Sequence, residues 1–117
     1  MIKQINVGVI GTGWCGGIRA NACNSNPLVD NLYIAETNEN RLYELKEKLE
    51  LKEATNDWKK LINNPAIDTI IISATPEDTH YPMALSALQS GKNVFLEKPI
   101  ATTLKEAEEL IDVSIKN

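Results

Sequence analysis

The feature that most constrains the fold is a set of three glycines spaced as GxGxxG, in the segment Gly11-Thr12-Gly13-Trp14-Cys15-Gly16. It directly follows a β-branched apolar run, residues 5–10, which is typical of a buried strand. Residues 18–24 then predict a helix that Asn26-Pro27 ends. A glycine-rich turn between a buried strand and a helix is typical of the first βαβ unit of a parallel sheet, and we expect that unit here.

Strand and helix signals alternate along the rest of the chain. The clearest strand holds three consecutive isoleucines at residues 70–72, and so continuous an apolar run indicates burial on both faces. The pattern predicts one α/β domain over residues 1–117, a Rossmann-like doubly wound parallel sheet in three αβα layers. After the first strand, we predict strands at residues 32–35, 53–55, 69–74 and 93–96, and helices capped by Asn38, Asp57, Thr79 and Thr103.

The glycine turn predicts a dinucleotide site. Gly11 suits the sharp turn, Gly13 lets a pyrophosphate approach the backbone, and Gly16 lets the helix pack on the strand. Thr12, Trp14 and Cys15 lie between the glycines and belong to the candidate site. Trp14 is either a core residue or a lid over the cofactor, and Cys15 either contacts the pyrophosphate or, as is commoner, fills apolar space. Flavin-binding and S-adenosylmethionine-binding domains use similar turns and stay open as alternatives.

Glu36 follows the second predicted strand, where a carboxylate accepts hydrogen bonds from the adenosine ribose hydroxyls. The same carboxylate repels a 2′-phosphate, so the sequence favours NAD over NADP. Arg41 lies close enough in sequence to pair with such a phosphate, which weakens this preference. A solvated surface glutamate is the alternative interpretation of Glu36.

Composition argues against several other classes of protein. The formal net charge is −4, which disfavours binding to a nucleic-acid backbone. The cysteines, Cys15 and Cys23, form no CxxC pair and accompany a single histidine, so we expect neither a metal site nor a disulfide, and a reducing cytoplasm fits best. No run approaches the roughly 18 apolar residues of a membrane span, and the first ten residues lack the apolar stretch of a signal peptide.

Three segments of the chain resemble the glucose–fructose oxidoreductase / inositol dehydrogenase family (Gfo/Idh/MocA): residues 9–13, 73–80 and 91–99. The resemblance spans nearly the whole chain. It implies an NAD(P)-dependent oxidoreductase that acts on a CH–OH group of a sugar or cyclitol. It also implies a C-terminal α/β domain that binds this substrate and carries the contacts of homo-oligomers. Nothing in this sequence matches that domain, so the end at Asn117 looks like a truncation, and the uncovered sheet edge could pair with another copy.

The resemblance also implies roles for individual residues. Lys98 matches the lysine of the family's Glu-Lys-Pro motif, beside the nicotinamide, and is the candidate catalytic residue. Glu97 matches the glutamate near the nicotinamide ribose, and Thr75-Pro76 match a turn that runs along the cofactor. His80 matches a histidine at the nicotinamide end. One departure is clear, because the family often has histidine where this chain has Arg19.

Two functional hypotheses follow. In the first, the chain is the cofactor-binding part of an oxidoreductase and has little or no activity alone, because it lacks the part that binds substrate. In the second, it is a stand-alone NAD-binding module without chemistry of its own. A methyltransferase-type domain is a third alternative, against which the Glu-Lys-Pro segment, residues 97–99, argues.

Overall fold

The computed structural model of the chain describes residues 3–117 and contains one parallel five-stranded sheet. The strands lie in the order β3-β2-β1-β4-β5, and every neighbouring pair is parallel. This confirms the Rossmann-like doubly wound fold. The strands are β1 (Ile5–Ile10), β2 (Val29–Ala35), β3 (Leu51–Thr55), β4 (Thr69–Ile72) and β5 (Asn93–Leu96).

Helices connect successive strands and cover both faces of the sheet. They are α1 (Trp14–Ser25), α2 (Glu39–Lys48), α3 (Trp58–Ile62), α4 (His80–Gln89) and α5 (Leu104–Lys116), with a short 3₁₀ turn at Glu77–Thr79 before α4. In the part of the chain that the structure describes, no helix has the length and apolar character to cross a membrane.

The predicted helix caps are largely confirmed. Asn38, Asp57 and Thr103 each accept a hydrogen bond from a backbone N–H in the first turn of their helix. Thr79 differs, because its hydroxyl donates to the Pro76 carbonyl at 2.7 Å and caps no helical N–H. The reason is local, since the 3₁₀ turn runs directly into α4 and Thr79 already has helical backbone angles.

Two predicted boundaries are wrong at the glycine-turn end of the sheet. Helix α1 begins at Trp14 instead of residue 18, because the Gly17 N–H already donates to the Gly13 carbonyl at 2.7 Å. Strand β4 ends at Ile72 instead of residue 74. The N–H of Ser73 still donates to the Ile10 carbonyl, and the chain beyond it turns to form part of the wall described below.

The core consists of two clusters, one on each face of the sheet. Val9 and Ile34 are fully buried in the cluster beneath α1 and α2. Ile70 and Ile72 are fully buried in the cluster beneath α3, α4 and α5, whereas Ile71 belongs to the opposite cluster. The alternation along β4 confirms that the isoleucine run is buried on both faces.

Candidate functional site

A cavity of about 530 Å³ opens at the carboxyl ends of β1, β2 and β4. Parallel sheets of this kind bind ligands at the carboxyl ends of their strands, where the order of strands reverses. In this chain the reversal lies between β1 and β4, beside the glycine turn. The cavity is lined by Ile10, Gly11, Thr12, Gly13, Ala35, Glu36, Thr37, Asn38, Arg41, Asn56, Trp58, Ser73, Ala74, Thr75, Thr79 and Met83.

Each glycine of the turn meets a different constraint. Gly11 has φ of +83°, and a Cβ there would lie 2.5 Å from the Cα of Ala74. A Cβ on Gly16 would lie 1.9 Å from the Gly11 carbonyl oxygen, so α1 packs directly on the turn. A Cβ on Gly13 would meet no atom within 4 Å, because that position faces open space at the cavity. The sharp turn predicted at Gly11 and the close helix packing predicted at Gly16 are therefore confirmed.

The turn is held by charged residues that follow β2. Thr12 is fully buried, and its N–H and hydroxyl both donate to one carboxylate oxygen of Glu36. The other Glu36 oxygen accepts from the Asn38 N–H at 2.9 Å. The Arg41 Nε donates to the Thr12 carbonyl at 2.7 Å. Glu36 and Arg41 thus fix the glycine turn from the second strand and helix.

These contacts also determine the charge of Glu36. Burial alone raises its pKa, but the N–H of Asn38 and the hydroxyl and N–H of Thr12 outweigh that effect and hold the pKa below the usual value. The carboxylate is therefore ionised at neutral pH, at the point where the sequence predicts the adenosine ribose.

Gly17 has a role that the sequence analysis missed. A Cβ on this residue would lie 2.5 Å from an Nη atom of Arg41, so the absence of a side chain makes room for the guanidinium against α1. The sequence shows Gly17 directly after the GxGxxG motif, but it does not show that α2 places Arg41 against this glycine.

The two non-glycine residues at the start of α1 point away from the core. Trp14 is 84% exposed, which excludes its interpretation as a core residue. Cys15 is exposed as well, so the interpretation as an apolar filler is wrong. Both residues occupy the first turn of α1 on the side away from the sheet, and their proposed places beside a cofactor stay predictions.

The turn after β4 is exposed, and it contributes Thr75 but not the neighbouring Pro76 to the cavity wall. His80 is only 3% exposed, and its ring nitrogens lie 2.8 Å from the Ala74 carbonyl oxygen and 2.7 Å from the Pro99 carbonyl oxygen. It is not a surface residue of the helix, and it lies behind the wall of the cavity.

Glu97 and Lys98 directly follow β5 and are not among the residues that line the cavity. The pairing of Ile72 with Leu96 brings the end of β5 beside the turn that follows β4. Lys98 is exposed, while Glu97 accepts from Arg19 Nη2 at 2.9 Å and Nε at 3.1 Å. The Arg19 guanidinium also lies 4.9 Å from the centre of the Phe95 ring. The arginine that departs from the family pattern thus connects α1 to the end of β5.

Comparison with known proteins decides the family. Residues 5–117 match the family model GFO_IDH_MocA, described as an oxidoreductase family with an NAD-binding Rossmann fold. The chain belongs to this family. It is similar over nearly its whole length to the family's NAD-binding Rossmann domain, as the resemblance implied.

Similar proteins include dehydrogenases of several small polyhydroxylated molecules. The chain is 31% identical to a levoglucosan dehydrogenase of Pseudarthrobacter phenanthrenivorans, over 95% of this chain and 30% of the relative. It is 32% identical to a myo-inositol 2-dehydrogenase of Thermotoga maritima, with 96% and 33% covered. It is 31% identical to an NADP(+) scyllo-inositol 2-dehydrogenase of Bacillus subtilis, with 93% and 30% covered.

A solved structure agrees with the sequence matches. The apo scyllo-inositol dehydrogenase of Lactobacillus casei superposes with a TM-score of 0.89 at 26% identity, and the match covers 99% of this chain and 34% of that chain. The chain spans about a third of the length of the curated relatives it matches.

Proposed function

We propose that the chain binds NAD across the cavity and serves as the cofactor-binding part of a dehydrogenase that acts on a CH–OH group of a sugar- or cyclitol-like substrate. The observation that carries this proposal is the glycine turn, whose Gly13 position is open to the cavity while Glu36 is held beside it.

The start of α1 fits a pyrophosphate. The N-cap Gly13 offers no side-chain cap, and the first turn holds no acidic residue. The backbone N–H groups at the start of a helix lack partners within the helix and attract anions. Gly11, Thr12 and Gly13 line the cavity beside this helix end, and the neighbouring Trp14, Cys15 and Gly16 complete the turn.

The proposed preference for NAD over NADP would originate at the adenosine end. Glu36 would accept hydrogen bonds from the ribose hydroxyls, and its charge would repel a 2′-phosphate. Arg41 also lines the cavity, and it donates to Thr12 through Nε only, so its guanidinium adds a positive charge at this end. The Glu36→Gln variant should therefore narrow the preference for NAD over NADP by about tenfold. Glu39→Gln, at an exposed position of α2, is the matched control.

The roles proposed at the nicotinamide end are based on the family's motifs. Thr75 lines the cavity and Pro76 follows it, so this turn would run along the second half of the cofactor. Lys98 would serve as the acid–base or electrostatic partner of the reacting hydroxyl, and Glu97 would lie near the nicotinamide ribose. His80 acts from behind this wall.

Substrate binding would need residues outside this chain. The named relatives act on levoglucosan and inositols and are about three times as long. We therefore propose that a sugar- or polyol-binding C-terminal domain completes the enzyme and carries its homo-oligomer contacts, without nucleic-acid or membrane partners. The free thiols of Cys15 and Cys23 support a cytoplasmic location.

The first test is a titration of the chain with NAD, NADH and NADP by calorimetry and tryptophan fluorescence. Trp58 lines the cavity and Trp14 lies at the glycine turn, so both should respond to a bound dinucleotide. Saturable binding with NAD preferred supports the proposal. Absence of binding at millimolar concentrations of all three would refute it. Binding without turnover on a polyol panel is expected, because we propose that a further domain completes the substrate site.

A further inference from the structure

His80 is the single histidine of the chain, and it connects two turns that are separate in sequence. It is the first residue of α4, and its side chain is almost completely buried. Nε2 contacts the carbonyl oxygen of Ala74 at 2.8 Å, and Nδ1 contacts that of Pro99 at 2.7 Å. One ring therefore spans the two turns that leave β4 and β5.

Each of these carbonyls adjoins a residue of the proposed nicotinamide end. Ala74 directly precedes Thr75, which lines the cavity, and Pro99 directly follows Lys98. The last backbone hydrogen bond between the strands runs from the Glu97 N–H to the Ile72 carbonyl at 3.0 Å. Within residues 3–117, no backbone hydrogen bond joins 74–76 to 98–99 beyond that point. The His80 ring therefore replaces the missing sheet pairing.

The chemistry of the ring makes this connection specific. Both partners are carbonyl oxygens, which only accept hydrogen bonds. An imidazole ring carries at least one N–H, so it donates to at least one of the two carbonyls, and its width holds the two oxygens on opposite sides of the ring. The shorter planar amides of asparagine and glutamine do not match the width of an imidazole, so neither can contact both carbonyls in the same way.

We propose that His80 is a positioning residue, whose ring lies between the two carbonyls, sets the spacing between the Thr75 turn and the Lys98 turn, and thereby shapes the site for the nicotinamide half of the cofactor. This inference rests on the proposed NAD-binding function. His80 itself stays out of contact with the ligand, because its ring is buried and both nitrogens are engaged.

The first arm of the test uses the wild-type chain, freed of any histidine tag, in ¹⁵N NMR at the pH of the binding assays. A single histidine makes the assignment unambiguous. We expect a ring N–H signal in slow exchange with water, because the ring is buried and its N–H donates to a carbonyl. Rapid exchange of every ring proton would overturn the connection.

The second arm compares NADH with ADP, which carries the adenosine and diphosphate parts without the nicotinamide. We expect His80→Asn and His80→Gln to weaken NADH binding about fivefold, the effect of one lost hydrogen bond, and ADP binding less than about twofold. Tyr81→Phe is the matched control, because its hydroxyl bonds to Glu109 on α5 instead of to either turn. This variant should bind both ligands as the wild type does.

The outcomes separate the two proposals. If the wild-type chain binds neither ligand, the proposed function fails. If the wild type binds both and the His80 variants weaken both equally, or neither, the positioning role is overturned while the proposed function stands. If the variants do not fold, the NMR arm on the wild type decides.

Discussion

Alanine at two glycines of the turn should have opposite consequences. In Gly13→Ala, the new Cβ meets no atom within 4 Å, and the native φ of −62° is one that alanine adopts freely. Alanine lowers the conformational entropy of the unfolded chain, which stabilises the fold by about 0.4–1 kcal/mol. Alanine is also a poorer N-cap than glycine, and this offsets the gain, so the free energy of unfolding should change by less than about 1 kcal/mol. The same methyl group would occupy the space over which the pyrophosphate passes.

Gly16→Ala is the counterpart that should damage the fold. Its Cβ would lie 1.9 Å from the Gly11 carbonyl oxygen and 3.1 Å from the Cβ of Ser73. Cβ contacts below 3.0 Å essentially never occur, so α1 must move away from the turn by about 1 Å. Overpacking against the Gly11 backbone on one side and the buried Ser73 side chain on the other should cost about 3 kcal/mol.

The assay measures urea unfolding and NADH affinity for both variants. We expect Gly13→Ala to unfold like the wild type while its NADH affinity falls tenfold or more, because displaced phosphate oxygens lose charge-assisted hydrogen bonds worth about 1.5–3 kcal/mol each. Gly16→Ala should unfold at a lower urea concentration than the wild type. Wild-type affinity in Gly13→Ala would refute the placement of the pyrophosphate over the turn, and wild-type stability in Gly16→Ala would refute the packing argument.

Three further predictions concern single polar residues. Because folding lowers the pKa of Glu36, its charge stabilises the chain above a pH of about 4.5, and this contribution disappears as the pH falls through the folded value. Glu36→Gln should therefore lose less stability than the wild type in urea titrations from about pH 6 to about pH 3, and an equal loss would contradict the assignment. Lys92 is buried and donates to two carbonyls at the amino ends of the strands. Lys92→Met should therefore lower the free energy of unfolding in urea by about 2 kcal/mol and leave NADH affinity unchanged. A parallel loss of affinity would show that this end of the sheet influences the cavity. The Ser73 hydroxyl is buried without a hydrogen-bond partner within residues 3–117, so Ser73→Ala should match or exceed wild-type stability by up to about 1 kcal/mol, and a loss of that size would reveal a partner.

The architecture was predictable because its signals are local. The isoleucine run at 70–72, the caps at Asn38 and Asp57, and the glycine turn each report on a few consecutive residues. Their order along the chain then specifies a parallel sheet, because each strand is followed by a helix. Strand β4 nevertheless ends early, since its carboxyl end leaves the sheet to border the cavity, and no local preference encodes that departure.

The long-range contacts of the site were not predictable in the same way. Arg19 and Glu97 lie 78 positions apart, and nothing in either segment indicates that they form an ion pair. The room that Gly17 leaves for Arg41 likewise depends on how α2 lies over α1. His80 was predicted beside the cofactor from its motif, but the fold buries its ring between two carbonyls. A motif identifies which residues matter, whereas the packing decides through which atoms they act.

The charges around the site indicate where cofactor affinity must originate. The chain carries a net charge of −4, and one of its carboxylates, Glu36, lies beside the glycine turn, so the overall field opposes an anionic dinucleotide. Arg19 is paired with the Glu97 carboxylate, whereas Arg41 donates to the neutral Thr12 carbonyl and keeps its charge. Attraction then comes from Arg41 and from the backbone N–H groups at the start of α1, which act only over short distances and only if the turn holds its shape. The bonds of Glu36 and Arg41 to Thr12 hold that shape before a ligand arrives, so the same carboxylate that opposes the cofactor at long range organises the groups that bind it at short range.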